Sequence, residues 1–409
     1  MAASEQQRVW KPEHRLLLDG ARTKLSEPQA ERIRALLETD INWQGLLGDA
    51  RRHRVALLLA RSLRAVESGP ETSSYDEHLR EHTRVFAARN AYLLHELARL
   101  LALFAAERIP VIPYKGPVIA TLAYGDVGLR EFNDLDLLVQ PQDIERASRV
   151  LRDAGFETRN RLTPREQAHV QKEFKEYCFQ SGLVVVEPHW SITARRFPFP
   201  IDYAALWDRA RPAALGHAMA LVFAPEDMLV IQCVTGGKSR WRRLELVCDV
   251  AELLQAFPDL DWEAVEGRAI ASGSARMLLL GLGLATELLE APLPAAINNK
   301  IQADTHVLRL RRKVIEGLFD TQEKTTTRRS PTRFSPLLMA MRERPVDRWA
   351  YLWRTLTTPT VPHLRRYPLP TTLWPLYRVL VPVHDYIAQP IARRLAGVAT
   401  QAHPADKTL

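Results

Sequence analysis

Two aspartates that alternate with leucines are the residues from which the chemistry of this 409-residue chain can be argued. The stretch reads Asp134-Leu135-Asp136-Leu137, and in a strand this alternation puts both acids on one face and both leucines on the other. Like charges placed side by side repel each other. A divalent cation that also binds phosphate oxygens is the usual way to stabilise such a pair, so the stretch predicts metal-dependent phosphate chemistry.

A third carboxylate ends another predicted strand. Residues 184–186 are valines followed by Glu187, which is typical of a buried strand whose last residue emerges at the sheet edge. If this strand lies beside the aspartate strand, three acids converge, as in a two-metal site with cations about 3.5–4 Å apart. We therefore predict Asp134, Asp136 and Glu187 as ligands of Mg²⁺, with Mn²⁺ as the alternative. Glu187, or a water that it orients, is expected to help deprotonate an acceptor hydroxyl.

A different use of paired carboxylates is glycoside hydrolysis. That reaction holds its two acids roughly 5–9.5 Å apart across a sugar. Neighbouring acids on one strand do not provide this separation, so the pattern excludes that chemistry.

A lysine and a glycine are predicted to hold phosphate. Lys115-Gly116 follows a short apolar strand and precedes a short predicted helix over residues 118–124. Glycine lets the backbone approach a phosphate closely, and the first N–H groups of a helix favour an anion. Both residues are therefore candidate contacts of the phosphates.

Three further side chains have two interpretations each. Arg130 either binds phosphate through its planar guanidinium or forms an ion pair with Glu131 or Glu187. Lys238 follows two glycines that are predicted to separate two helices, and it either contacts phosphate or is a surface lysine in a plain connection. His189 is expected to orient Glu187 rather than to bind metal.

The order of these features resembles the nucleotidyltransferases of the DNA polymerase β type, in particular the bacterial branch known as uncharacterised nucleotidyltransferases. The resemblance covers roughly residues 40–385. It rests on the apolar strand and Lys-Gly of residues 111–116, Tyr124-Gly125-Asp126, Arg130, Asp134-x-Asp136 and Glu187-x-His189-Trp190. Two departures are Lys115-Gly116 where the superfamily usually has Gly-Ser or Gly-Gly, and Thr235-Gly236 where the branch often has His-Gly.

The resemblance implies an enzyme that transfers a nucleoside monophosphate from an NTP, with ATP expected, to a hydroxyl or similar acceptor. That acceptor is a small molecule, a natural product or a macromolecule. No feature of residues 200–409 selects one, and neither a nucleic-acid partner nor an oligomeric state is indicated. The alternative is a degenerate nucleotidyltransferase fold that serves as a binding or regulatory module. Loss of an acid would favour this alternative, and all three acids are present.

The length and periodicity of the chain predict an α+β fold in several parts. A small mixed β-sheet is expected to form the core, flanked by large N- and C-terminal helical regions. Several parts are expected because a chain of this length exceeds one ordinary domain. The predicted parts are a helical region over residues 1–108, the catalytic core over 109–200, a helical domain over 201–320, and a basic loop with an aromatic and proline-rich tail over 321–409.

Composition bounds the partners and the compartment. The chain has 56 Lys and Arg against 48 Asp and Glu, a net charge of +8, which favours anionic ligands but does not identify a nucleic-acid binder. Three cysteines without CxxC spacing indicate neither zinc nor disulfides. No secretory signal and no membrane-spanning segment are predicted. We therefore expect a cytoplasmic protein.

Two segments are predicted as loops and one as a docking helix. Residues 68–74 and 321–334 have loop composition, and the second is basic. Residues 373–395 could form a basic amphipathic helix that docks either on the body of the protein or on anionic lipid. Docking on the body is preferred, because Pro375, Pro382 and Pro390 are expected to break a long interfacial helix.

Overall fold

The structure is a computed structural model that describes residues 10–66, 74–159, 162–320 and 334–392. The chain divides into two compact units, each built from separate stretches of sequence. The first consists of Met1–Asn160, Glu176–Ile192 and Pro200–Phe319, and the second of Arg161–Lys175, Thr193–Phe199 and Asp320–Leu409. The predicted α+β class is confirmed.

Helices begin the first unit, as their amphipathic spacing predicts. They are α1 (Pro12–Gly20), α2 (Glu27–Leu37), α3 (Trp43–His53), α4 (Ala56–Val66) and the long α5 (Ser74–Ala106). The Asn42 side chain accepts a hydrogen bond from the Gly45 N–H and so begins α3. Of the predicted loop over 68–74, only Ser74 lies within the described residues, and it begins α5.

A five-stranded mixed sheet follows. Its strands are β1 (Val111–Pro113), β2 (Leu135–Val139), β3 (Glu157–Thr158), β4 (Phe179–Ser181) and β5 (Val184–His189), in the spatial order β1-β2-β5-β4-β3. Only the β2–β5 pair is parallel. Helices α6 (Gly116–Leu122) and α7 (Ile144–Asp153) flank β2 in the chain. The predicted small mixed sheet is confirmed.

The remaining described part of the first unit is mostly helical, with one exception. Two strands, β6 (Arg211–Leu215) and β7 (Ala218–Val222), form a hairpin where the sequence predicted only helices. The prediction was wrong because the strands are rich in alanine, which gives little β signal; Gly216 at positive φ makes the turn. The helices are α9 (Tyr203–Asp208), α10 (Pro225–Lys238), α11 (Glu245–Ala256), α12 (Trp262–Ala271), α13 (Ala275–Leu289), α14 (Ala295–Ala303) and α15 (Thr305–Leu318), while α8 (Pro164–Glu173) belongs to the second unit.

Helix α10 continues through two glycines that were predicted to interrupt it. Gly236 is needed for packing, because a Cβ there would lie 2.4 Å from the indole of Trp241. Trp241 is completely buried, and its backbone N–H donates to the Gly236 carbonyl. The predicted turn at Gly236-Gly237-Lys238 is therefore wrong: these residues form the last turn of a helix that makes room for a tryptophan.

The second unit contains the C-terminal helices. They are α16 (Pro336–Ala340), α17 (Pro345–Thr357), α18 (Val361–Arg366), a 3₁₀ helix (Thr371–Leu376), α19 (Tyr377–Val383) and a π-helical turn (His384–Ala388). Leu364, Tyr377 and Val381 form a small buried core. The backbone is helical without a break from residue 371 to 392, so the prolines change the helix type without ending the helix. No helix of the described residues is long and apolar enough to cross a bilayer.

Candidate active site

The parallel pairing of β2 and β5 brings the predicted acids together. Asp136 lies opposite Glu187 in this register, and Asp134 lies one residue before β2. Asp136, Glu187 and His189 each offer one ligand atom, and these atoms lie within 4.8 Å of one another. The sequence predicted the adjacency of the two strands, and the structure supplies the register that places their acids side by side.

Two basic side chains contact Asp136. The Nζ of Lys115 lies 2.5 Å from its Oδ1, and the Nε2 of His189 lies 2.8 Å from the same oxygen. The His189 Nε2 is 3.6 Å from Glu187, so the imidazole contacts Asp136 more closely than the residue it was expected to orient. His189 is completely buried, and its Nδ1 lies 3.0 Å from Glu176.

Glu176 has a place in the site that sequence reasoning missed. It lies in the segment between α8 and β4, where it forms a single antiparallel bridge with His189. An acid that precedes a histidine by thirteen residues has no periodic relation to it. No local pattern in the sequence therefore indicates this contact.

The two aspartates have opposite pKa shifts. Burial opposes ionisation of Asp136, but Lys115 and His189 outweigh this effect and hold the Asp136 pKa well below its usual range. Burial raises the pKa of Asp134, and repulsion from Asp136 and Glu187 raises it further. The site therefore stabilises the anion of Asp136, whereas the negative charges of Asp136 and Glu187 disfavour ionisation of Asp134.

A buried phenol borders these carboxylates. The Tyr114 hydroxyl has no hydrogen-bond partner among the described residues, and the ring packs edge-on against His189 with centroids 5.3 Å apart. Burial, followed by the charge of Asp136, raises the Tyr114 pKa well above its usual value. Tyr114 is therefore a neutral group whose O–H can donate to an oxygen.

The backbone conformation at position 116 by itself favours glycine. Its φ is +36°, and a Cβ there would lie 3.3 Å from the carbonyl oxygen of Asp134. Gly116 begins α6, and Lys115 accepts the Val118 N–H through its carbonyl. The turn therefore holds Lys115 next to the aspartate strand. This structural role of the turn does not depend on phosphate.

Arg130 is held by an acid that the sequence did not suggest. Its Nε and Nη2 donate to the two carboxylate oxygens of Asp249 at 2.7 and 2.8 Å, and Glu245 lies 3.3 Å from Nη2. The Tyr124 hydroxyl donates to the same carboxylate. Burial opposes the charge of Arg130, but Asp249 outweighs it and raises the Arg130 pKa well above its usual value. An ion pair exists, as one interpretation held, but its partners are Asp249 and Glu245 on α11.

Lys238 lies in the last turn of α10, where its side chain is half-buried. The separate turn in which it was predicted to meet phosphate does not form. Its contribution to nucleotide binding stays a prediction.

Comparison with known proteins gives the family. Part of the chain matches a solved structure, that of the antibiotic-resistance factor ANT(2'')-Ia, with 12% sequence identity and a TM-score of 0.32 over 44% of this chain and 91% of that chain. No curated protein matches the chain. The model of the family described as uncharacterised nucleotidyltransferases matches residues 39–290, which is more than half of the chain and includes all three acids. The chain therefore belongs to the uncharacterised nucleotidyltransferase family.

Proposed function

We propose that this nucleotidyltransferase moves a nucleoside monophosphate from an NTP, with ATP as the donor, to a hydroxyl of an acceptor in a Mg²⁺-dependent reaction. Asp134, Asp136 and Glu187 are the proposed metal ligands. The observation that carries the proposal is the strand register, which pairs Asp136 with Glu187 and leaves Asp134 one residue before the same strand.

The residues present fit a divalent cation. Carboxylate oxygens are the donors that suit Mg²⁺ and Mn²⁺, and the ligand atoms of Asp136, Glu187 and His189 are close enough to share an ion. The raised pKa of Asp134 reports negative charge that a cation would relieve. When bound, such ions would offset charge on the phosphate oxygens and position the two oxygens that exchange at phosphorus.

The side chains around the acids have separate tasks in this proposal. The acceptor oxygen attacks the α-phosphorus, the bond from that phosphorus to the bridging oxygen breaks, and pyrophosphate leaves. The acceptor proton passes to Glu187 or to a water that it orients. Lys115 lies at the Gly116 turn beside Asp136, and its positive charge would offset negative charge on a phosphate oxygen. Tyr114 can donate its hydrogen to an oxygen of the bound nucleotide or acceptor.

The proposal extends to the compartment. The three cysteines are free thiols, which supports a reducing environment such as the cytoplasm. The acceptor is left as a hydroxyl compound of unidentified class, small or macromolecular.

Nucleotide binding by the full chain tests the proposal directly. ATP, CTP, GTP and UTP are titrated calorimetrically with Mg²⁺, with Mn²⁺, and with a chelator. We expect at least one nucleotide to bind with metal and to lose most of its affinity when the metal is chelated. A ligand at about 100 times its dissociation constant should also raise the free energy of unfolding by about 2.7 kcal/mol.

Two variants separate the site from general charge effects. The double variant Asp134→Asn with Asp136→Asn should lose metal-dependent binding, whereas Asp153→Asn, an exposed aspartate at the end of α7, should behave as wild type. Absence of binding by all four nucleotides with either metal would favour the degenerate binding module instead. Equal binding with and without chelator would remove the metal from the proposal.

A further inference from the structure

A stripe of exposed apolar side chains runs along the C-terminal helical segment of residues 371–392. Its members recur at intervals of three or four residues, which places them on one side of a helix. They are Leu373, Leu376, Val379, Val383, Ile387 and Ile391, each between 43% and 63% exposed. The opposite side is the buried one, since Tyr377 and Val381 pack into the core with Leu364.

The neighbouring helix α17 presents a second apolar face. Val346, Trp349 and Trp353 are 69%, 70% and 56% exposed, at spacings of three and four residues. Helix α17 packs against α19, so the two apolar faces belong to adjacent helices. Nine of the fifteen large hydrophobic side chains that are exposed in the described part of the chain fall between residues 346 and 391. Apolar exposure is therefore concentrated in this region, and such patches usually mark an interaction surface.

The same region carries the basic charge of the protein. Residues 334–392 contain 7 Lys and Arg against 3 Asp and Glu, and residues 321–409 contain 14 against 5. The rest of the chain has 42 against 43, so the net charge of +8 arises entirely from the C-terminal region. Arg366, the last residue of α18, and Arg378, in α19, are exposed. An anionic partner is the one that this charge favours.

We propose that the apolar stripe and the α17 face bind the surface of an anionic phospholipid membrane, lying in the plane of the headgroups. Aromatic and aliphatic side chains on helices within a basic region are the features that place a helix at this interface, where apolar groups enter the acyl boundary and arginines meet lipid phosphates. The proposal needs no spanning helix. It leaves the acceptor of the transferred nucleotide undecided.

Other partners fit the apolar and basic character of this surface less well. A second copy of the chain would bring two equally basic faces together, since a symmetric dimer contacts itself through the same patch. Residues 393–409 hold three basic residues and one acidic residue, so they do not complement the surface either. A nucleic acid would satisfy the arginines but would leave the aliphatic stripe without a partner.

Vesicle binding by the full chain tests the proposal. Phosphatidylcholine vesicles with and without phosphatidylglycerol are sedimented with the protein at low and high salt. We expect binding that requires phosphatidylglycerol and weakens as salt rises. The variant Val379→Glu with Ile387→Glu should lower the vesicle affinity at least about tenfold, because it puts two charges into the apolar stripe.

Two controls separate lipid contact from charge alone. Ile270→Glu with Met219→Glu adds the same two charges at exposed apolar positions of the first unit and should retain markedly tighter vesicle binding than the stripe variant. Trp349→Ala with Trp353→Ala leaves the charge unchanged and should also weaken binding. Failure of the wild type to bind phosphatidylglycerol vesicles at low salt would overturn the proposal. So would a dimer that the stripe variant dissociates, or binding to a single-stranded oligonucleotide that rivals vesicle binding and ignores the apolar substitutions.

Discussion

The Nζ of Lys115 lies 2.5 Å from the Oδ1 of Asp136, so one of the proposed metal ligands already contacts a positive charge. This contact changes which aspartate bears the repulsion. The sequence pattern indicates repulsion between the two acids without distinguishing them. The structure shows that Asp136 is stabilised as an anion by Lys115 and His189, while Asp134 carries the raised pKa.

The two aspartates should therefore respond oppositely to neutralisation. Asp136→Asn should lower the free energy of unfolding of the metal-free protein by about 1–3 kcal/mol, because Lys115 and His189 lose a charged partner. Asp134→Asn should leave it unchanged or raise it at neutral pH. Both variants should lose nucleotidyl transfer. Urea denaturation with a chelator present measures the stabilities, and a more stable Asp136→Asn protein would contradict this account of the site.

A pH dependence follows from the raised pKa of Asp134. Folding favours the protonated form of this group, so its contribution to stability is present below the unfolded pKa and is lost as pH rises through the folded pKa. Metal should bind better over the same rise in pH, because the ion needs the deprotonated carboxylate. We compare the melting temperatures of wild type and Asp134→Asn from about pH 4 to about pH 8. The difference between them should become smaller, or change sign, as the pH falls. A constant difference would show that Asp134 does not titrate in this range.

Local patterns in the sequence predicted the two strands that carry the acids. Alternation in Asp134-Leu135-Asp136-Leu137 and the valine run before Glu187 predicted two strands, and the strand order makes them neighbours. Contacts between distant segments were not predictable in the same way. Asp249 lies 119 residues after Arg130, and no periodicity joins the two.

Packing against one large side chain explains another error. Two adjacent glycines ordinarily predict a helix break, yet α10 continues through them because Trp241 requires the space above Gly236. The demand comes from the tertiary structure, and it overrides the low helix propensity of glycine. The β6–β7 hairpin was missed for the complementary reason, since its alanines carry no strong preference for strand.

Substitution of Arg130 tests whether this residue stabilises the fold or contacts the nucleotide. Arg130→Lys should lose the two-pronged contact with Asp249 and lower the free energy of unfolding by roughly 3–5 kcal/mol, because a buried acid loses its matched partner. Asp249→Asn should cost a similar amount. Where the Arg130→Lys protein is still folded at low temperature, its triphosphate affinity should stay within about threefold of wild type. A large loss of triphosphate affinity in a well-folded variant would restore the phosphate role of Arg130.

The contribution of Gly116 to folding stability can be separated from its contribution to triphosphate binding. Gly116→Ala should lower the free energy of unfolding by about 1–2 kcal/mol for the positive φ alone. It should also weaken triphosphate binding, because the new Cβ presses on the carbonyl of Asp134. Gly125→Ala is the matched control, since Gly125 also has positive φ but its added Cβ would meet no atom within 4 Å. Equal triphosphate affinities for the two variants would show that the Gly116 turn does not shape the phosphate site.

His189 is predicted to position Asp136 for metal, and the pair that it forms with Glu176 is part of that task. His189→Gln should lower Mg²⁺ or Mn²⁺ affinity by about 10–100-fold, the usual cost of losing a group that orients a metal ligand. Glu176→Gln keeps an acceptor for the imidazole and should cost less. His82→Gln is the matched control, because His82 lies 3.0 Å from Glu131 in a second histidine–glutamate pair. Titration of each folded variant with the metal alone, followed by the shift in melting temperature, measures the affinities. If His189→Gln folds and binds metal as wild type does while His82→Gln behaves identically, His189 is a core residue without a part in holding the site.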